Sequence, residues 1–314
     1  MYSYFWNFIN SKAFGGKKRV AYVFLALFSL IFSLPRYKEG WFYYAMFAYP
    51  LLVIGVLELT KNLLPLTNRV QNISLTLVED ETNQAQIKNW WNNLGKKEHL
   101  LWCFTIALVL AALSLAFNAN PNWSRYTDAI GIFYIGFMVG DVFYLLLLVQ
   151  SGIHQLKELP LKLNPLDPAS TVDLRRLAET TFSVTISIGF ALLIINIIIG
   201  FASYLFRHLL FGVIVISALA WTTIIILSIY PHLIFWQAVQ AKKQETLRML
   251  EEKLFSLYLE VKEKSVVSPN IEDISKLQSQ VMKSKSLPIS NSELFSIFST
   301  LFLNSIPLLL SYFK

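Results

Sequence analysis

Asp141 carries the most chemistry to account for. It stands in Gly136-Phe-Met-Val-Gly140-Asp141-Val-Phe-Tyr144, inside an apolar run, 129–150, with no other charged residue. An ionisable side chain at such depth costs at least about 2.5 kcal/mol on insertion scales and marks a functional candidate. Three roles are open to it. It can be a proton or cation site, it can pair with a polar group on a neighbouring helix, or it can stay neutral in a dry setting. Gly136 and Gly140 beside it form a small-xxx-small pair that lets another helix approach closely. Asn196 lies at comparable depth in the apolar run 191–200 and is the expected partner.

A second polar set lies in the last apolar block. Ser292, Ser296, Ser299 or Thr300, and Asn304 recur every three or four residues, which puts a polar face on an apolar helix. A pore-lining helix needs such a face, and so does a helix packed on polar partners. Ser296, Ser299, Thr300 and Asn304 are the pore-facing candidates. Thr181, Ser183, Thr185 and Ser187 open another apolar run, where hydrogen bonds to neighbouring helices are expected. Pro231 removes a backbone hydrogen bond and is a hinge candidate.

Catalytic and metal chemistry is not legible. The histidines, His99, His154, His208 and His232, lie in different segments with no i,i+4 pair among them. The single cysteine, Cys103, falls in an apolar block and reads as a buried, inert thiol. There is no Gly-rich phosphate loop, nucleophile elbow, carboxylate pair or His–Asp constellation. No catalytic residue, no metal site and no cofactor is assigned.

The elements that must position these residues are apolar helices. Of the 314 residues, 55% are hydrophobic and 15% charged, against about 25% charged in an average soluble domain. The apolar residues sit in blocks long enough for the roughly 20-residue helix that crosses a hydrocarbon core. The predicted class is an all-α integral membrane protein with about seven transmembrane helices. Its segments are a cytoplasmic N-terminus, 1–19; a hairpin of two spans, 20–57; a polar loop, 58–98, cytoplasmic or interfacial; and a third and fourth span, 99–150. There follow a Pro-rich linker and helix start, 151–180; a fifth and sixth span, 181–236; a helical hairpin, 237–290; and a seventh span or re-entrant helix, 291–314. Ser170 is the expected N-cap of the helix entering the fifth span. Past the sixth span, Leu247, Leu250, Leu254, Leu257 and Val261 are spaced 3, 4, 3, 4, an a/d coiled-coil seam. It meets either the second arm of the hairpin, 271–285, or another copy in a homo-oligomer.

Lys and Arg are retained on the cytoplasmic side during insertion. With the N-terminus inside, 22 of the 27 basic residues fall on that side and 5 outside. The +7 charge is therefore a topology signal, with the lipid bilayer as the partner, and nucleic acid is not needed to explain it. No cleavable leader is expected, and the expected location is a bacterial inner membrane, multi-pass. Seven helices with the N-terminus inside is the arrangement of insect-type chemoreceptor channels, an analogy of topology that no motif carries. The residues point first to a channel or transporter subunit moving a small ion or proton. The alternative is a membrane-anchored signalling or scaffold protein, whose cytoplasmic helices present a platform to a cytoplasmic protein partner.

Overall fold

The computed structural model describes residues 18–36, 42–93, 96–117, 123–205, 210–264 and 270–288, together with 295, 296, 298, 299, 302, 303 and 306. Among them the chain is helical, with one isolated antiparallel bridge between Val78 and Leu161. The helices are α1 (Lys18–Leu30, running on as a 3-10 turn, Ile31–Arg36), α2 (Phe42–Leu77), α3 (Glu81–Asn93) and α4 (Lys96–Phe117). After them come α5 (Trp123–Gln155), α6 (Val172–Leu205), α7 (Leu210–Lys264) and α8 (Asn270–Lys283).

Four of these are long and apolar enough to cross a membrane: Met46–Leu77, Glu98–Ala116, Tyr126–Glu158 and Val172–Ile195. Their outer faces carry large apolar side chains with no protein cover, such as Leu101 (66% exposed), Leu108 (59%) and Phe190 (57%). Contiguous apolar surface of this kind is rare on soluble monomers and is what a lipid environment solvates. Of the other expected spans, the first is a shorter apolar helix, Arg19–Leu34. The sixth includes side chains outside the described residues, and most of the seventh lies outside them too.

The second helix departs from expectation. It does not stop near 57 but runs unbroken to Leu77, through the stretch read as too polar to span. The reason is a seam that polarity masks. Tyr49, Val53, Val56, Thr60, Leu63, Thr67, Val70, Ser74 and Leu77 are all buried, at alternating spacings of four and three. The three hydroxyls bond inside their own helix: Thr60 to the Val56 carbonyl (3.0 Å), Thr67 to that of Leu63 (2.8 Å) and Ser74 to that of Gln71 (2.7 Å). With its donor used locally, a Thr or Ser packs as a small apolar residue would. Outside the seam, Glu58 and Lys61 pair at 2.8 Å. Along this seam α2 packs on α5 and α6, whose own buried positions include Leu174, Leu177, Thr181, Val184 and Ile188. Facing α5 and α6, α2 also leaves an apolar crevice of about 180 Å³ around Gly55, Val142, Leu146 and Ile188.

The Pro-rich linker is packed rather than open. The Lys162 N–H donates to the Leu77 carbonyl at 2.7 Å, and the Glu79 N–H to the Pro160 carbonyl at 3.1 Å. One acceptor left over at the end of α2 is thereby satisfied. Leu161, Leu163, Pro168 and Ala169 are buried. Ser170 is not the cap of α6: it closes a 3-10 turn, Pro168–Ser170, with its hydroxyl donating to the Asp167 carbonyl. The cap position falls to Thr171, whose carbonyl accepts from the Arg175 N–H at 2.9 Å and whose hydroxyl oxygen accepts from the Asn164 N–H at 2.9 Å.

With 55 residues, α7 is the longest helix, about 80 Å at 1.5 Å per residue. Its far half pairs with α8. The buried positions there include Val239, Lys243 and Thr246 on α7, and Ile274 and Val281 on α8. The Lys243 ammonium donates to the Ser284 carbonyl at 2.5 Å. Leu247, Leu250, Leu254 and Leu257 are half-buried, and the Val261 side chain lies outside the described residues.

Candidate functional site

The site is built where α4 meets α5. The two helices run antiparallel, and each four-residue step along one answers a four-residue step back along the other. Ala107 faces Gly136, Cys103 faces Gly140 and His99 faces Tyr144. The glycines set the separation. A Cβ at 140 would lie 2.5 Å from Cys103 Cα, and one at 136 would lie 2.9 Å from Ala107 Cα. The same spacing carries over to α3, where the Trp91 ring occupies the volume a side chain at Gly152 would need.

This approach brings Asp141 against His99. Asp141 Oδ1 is 2.6 Å from His99 Nε2, at side-chain exposures of 0% and 1%. The Tyr144 ring stacks on the imidazole, with centroids 4.2 Å apart and planes at 11°. Cys103 sits one turn along α4 from His99 and is fully buried. An imidazole nitrogen, the Cys103 sulfur and an Asp141 carboxylate oxygen all lie within 4.8 Å of one another. Aromatic pairs flank the group, Trp102 with Phe143 and Phe104 with Phe137.

The side chain facing Asp141 is that of His99, while the Asn196 side chain lies outside the described residues. Asp141 is level with the first turn of α4. A His–Asp constellation exists after all. The signal that could have found it is His99-xxx-Cys103, two donors at i,i+4 on one helix face.

Such a group has two capacities. A carboxylate and an imidazole at ion-pair distance can hold a proton between them and pass it on. The same atoms with a thiol form a mixed N, S, O donor set of the kind that binds transition-metal ions.

The remaining candidates sit elsewhere. Ser296 and Ser299 are helical and half-buried, and the Ser299 hydroxyl donates to the Phe295 carbonyl at 2.9 Å. Phe295, Phe298 and Phe302 form the exposed side of that segment. Thr300 and Asn304 lie outside the described residues. In α6 the hydroxyls of Thr181, Ser183, Thr185 and Ser187 turn inward to their own helix, each donating to a carbonyl three or four residues back.

Thr185 does more. Its hydroxyl also reaches the Leu227 carbonyl on α7, at 3.4 Å. Leu227 is four residues before Pro231, so its carbonyl is the acceptor that the proline leaves without a donor. Across the helix boundary Thr185 replaces part of that missing bond, as hydroxyls do beside membrane prolines. On the other flank Tyr230 Oη lies 2.5 Å from His154 Nδ1, tying α7 to the end of α5. Thr185→Val is expected to cost about 1 kcal/mol. In a Pro231→Ala background, where residue 231 can donate to Leu227, most of that cost should vanish. Thermal unfolding of the four variants in detergent measures the coupling, and equal costs in both backgrounds would refute it.

No protein-family model, curated protein or solved structure matches this chain.

Proposed function

We propose that this chain is a multi-pass membrane protein that moves a proton or small cation across the bilayer, with His99 and Asp141 as the site the ion visits. One observation carries this. Two ionisable side chains meet at ion-pair distance, almost fully buried, between two helices apolar enough to span. Burying a charge-capable pair is weak support for stability, since apolar residues of similar volume do as well or better. A pair held in such a place is better explained by what it does to ions than by what it adds to the fold. The charge bias puts the N-terminus, and with it the His99 end of α4, on the cytoplasmic side.

The test is flux in proteoliposomes. Wild type should pass protons or a monovalent or divalent cation under a voltage or concentration gradient. Asp141→Asn, which keeps the shape but not the charge, should reduce that flux to background. Flux indifferent to Asp141→Asn would remove the site while keeping a pore.

A membrane-anchored scaffold is the second reading, and exposed apolar side chains favour it. On the α7 extension Met249, Phe255, Tyr258 and Leu259 are between 46% and 66% exposed. A surface of that kind suits a protein partner or a second copy of this chain. Absence of flux for every ion and gradient, together with capture of a defined partner through these residues, would favour the scaffold. A monomeric state in the membrane would exclude a pore shared between the last helices of several subunits.

A further inference from the structure

Resting on the cation site proposed above, we propose that His99, Cys103 and Asp141 bind a borderline divalent transition-metal ion, Zn2+ or one of its class. The donor set selects the ion. Alkali, magnesium and calcium ions take oxygen ligands, and only one of these three donors is an oxygen. Imidazole nitrogen and thiolate sulfur suit zinc and its neighbours. Three protein donors also leave a coordination position for water or an exchanging ligand, the pattern of zinc sites that do chemistry rather than hold a fold.

The fold presents the three donors together. His99 and Cys103 are one turn apart on the same face of α4, and both are buried. Asp141 reaches them from α5 because Gly140 brings the two backbones into contact at Cys103. The donor atoms are within 4.8 Å of one another. Stacking on Tyr144 holds the imidazole plane, the kind of support that fixes a metal ligand's orientation. The 2.6 Å His99–Asp141 contact is shorter than the separation of about 3.3 Å between two ligands on a tetrahedral zinc ion. A bound ion therefore takes the place of the direct contact, and the two side chains part by a fraction of an ångström.

The proton balance follows. The Cys103 thiol proton leaves to solvent as sulfur becomes the ligand. A proton carried on His99 Nε2 leaves as well, or moves to Nδ1 of the same ring. Binding thus releases protons and tightens as pH rises. The site lies in the first two turns of α4, beside the exposed Glu98, so an ion arriving from the aqueous phase has a short path.

The experiment uses the full chain, purified in detergent, stripped with a chelator and titrated with Co2+ and then Zn2+. One ion per chain is expected. The Co2+ form should show a thiolate-to-cobalt charge-transfer band, and the zinc form one sulfur scatterer at about 2.3 Å by X-ray absorption. The chain holds a single cysteine, so the band can report only Cys103. Cys103→Ala should abolish it in protein that stays monodisperse, and Asp141→Asn should weaken binding at least about tenfold. Substoichiometric binding, or a cobalt spectrum without the sulfur band, would overturn the site. Proton flux that depends on Asp141 without metal binding would also overturn it, while keeping the cation function. Stoichiometric sulfur-ligated binding without flux of any ion would uphold the metal site and discard transport.

Discussion

His99→Leu should destabilise the protein by about 3–5 kcal/mol, because it removes the imidazole facing a carboxylate that is 0% exposed. The double variant His99→Leu, Asp141→Leu should recover to within about 1 kcal/mol of wild type or exceed it, since apolar side chains need no hydration replaced. Unfolding of wild type, both single variants and the double variant in detergent closes the cycle. A double variant no more stable than the worse single variant would show that the pair contributes through interactions other than with each other. The cycle also bears on function. A double leucine variant that folds well and still conducts would make the pair a dispensable clamp. One that folds well and conducts nothing would separate the chemistry of the pair from its part in folding.

Gly140→Leu should also destabilise the protein. Even the first carbon of a new side chain would sit 2.5 Å from Cys103 Cα, a backbone atom that cannot turn aside. Either α4 and α5 separate along their whole contact or the helices distort, and overpacking of this kind costs about 1–3 kcal/mol or more. Gly140→Ala meets the same atom and should already lower the unfolding temperature. Gly55 provides the contrast, because a Cβ there meets nothing within 4 Å. Gly55→Ala should be neutral or stabilise by up to about 1 kcal/mol, from the lower backbone entropy of the unfolded chain. Opposite signs for the two Gly→Ala changes, read from thermal unfolding, are the expected result. Equal signs would mean that close approach at 140 does not hold the pair in place.

Local periodicity was readable because it needs only neighbours in sequence. The 3, 4 spacing of leucines extends α7 past the membrane block, and the break after it places a second arm at 271–285, where α8 spans Asn270–Lys283. The same rule failed on α2. Thr60, Thr67 and Ser74 occupy seam positions, and a residue type alone does not say whether its hydroxyl is turned to its own backbone. Once that bond is made the side chain packs as a small apolar one, and a stretch that reads as a polar loop becomes the buried centre of a helix.

The sequence by itself determined the class of molecule, its apolar helices and the isolation of one carboxylate in an apolar run. Those follow from composition and from contacts three or four residues apart. It also marked Gly136 and Gly140 as a place of close approach. Tertiary structure alone decided which helix approaches there. Cys103 and His99 are brought to Gly140 and Asp141 by the register between α4 and α5. That register is the sum of many packing contacts along two helices, and no single spacing in the chain encodes it. The same register fixes which side chains face the carboxylate.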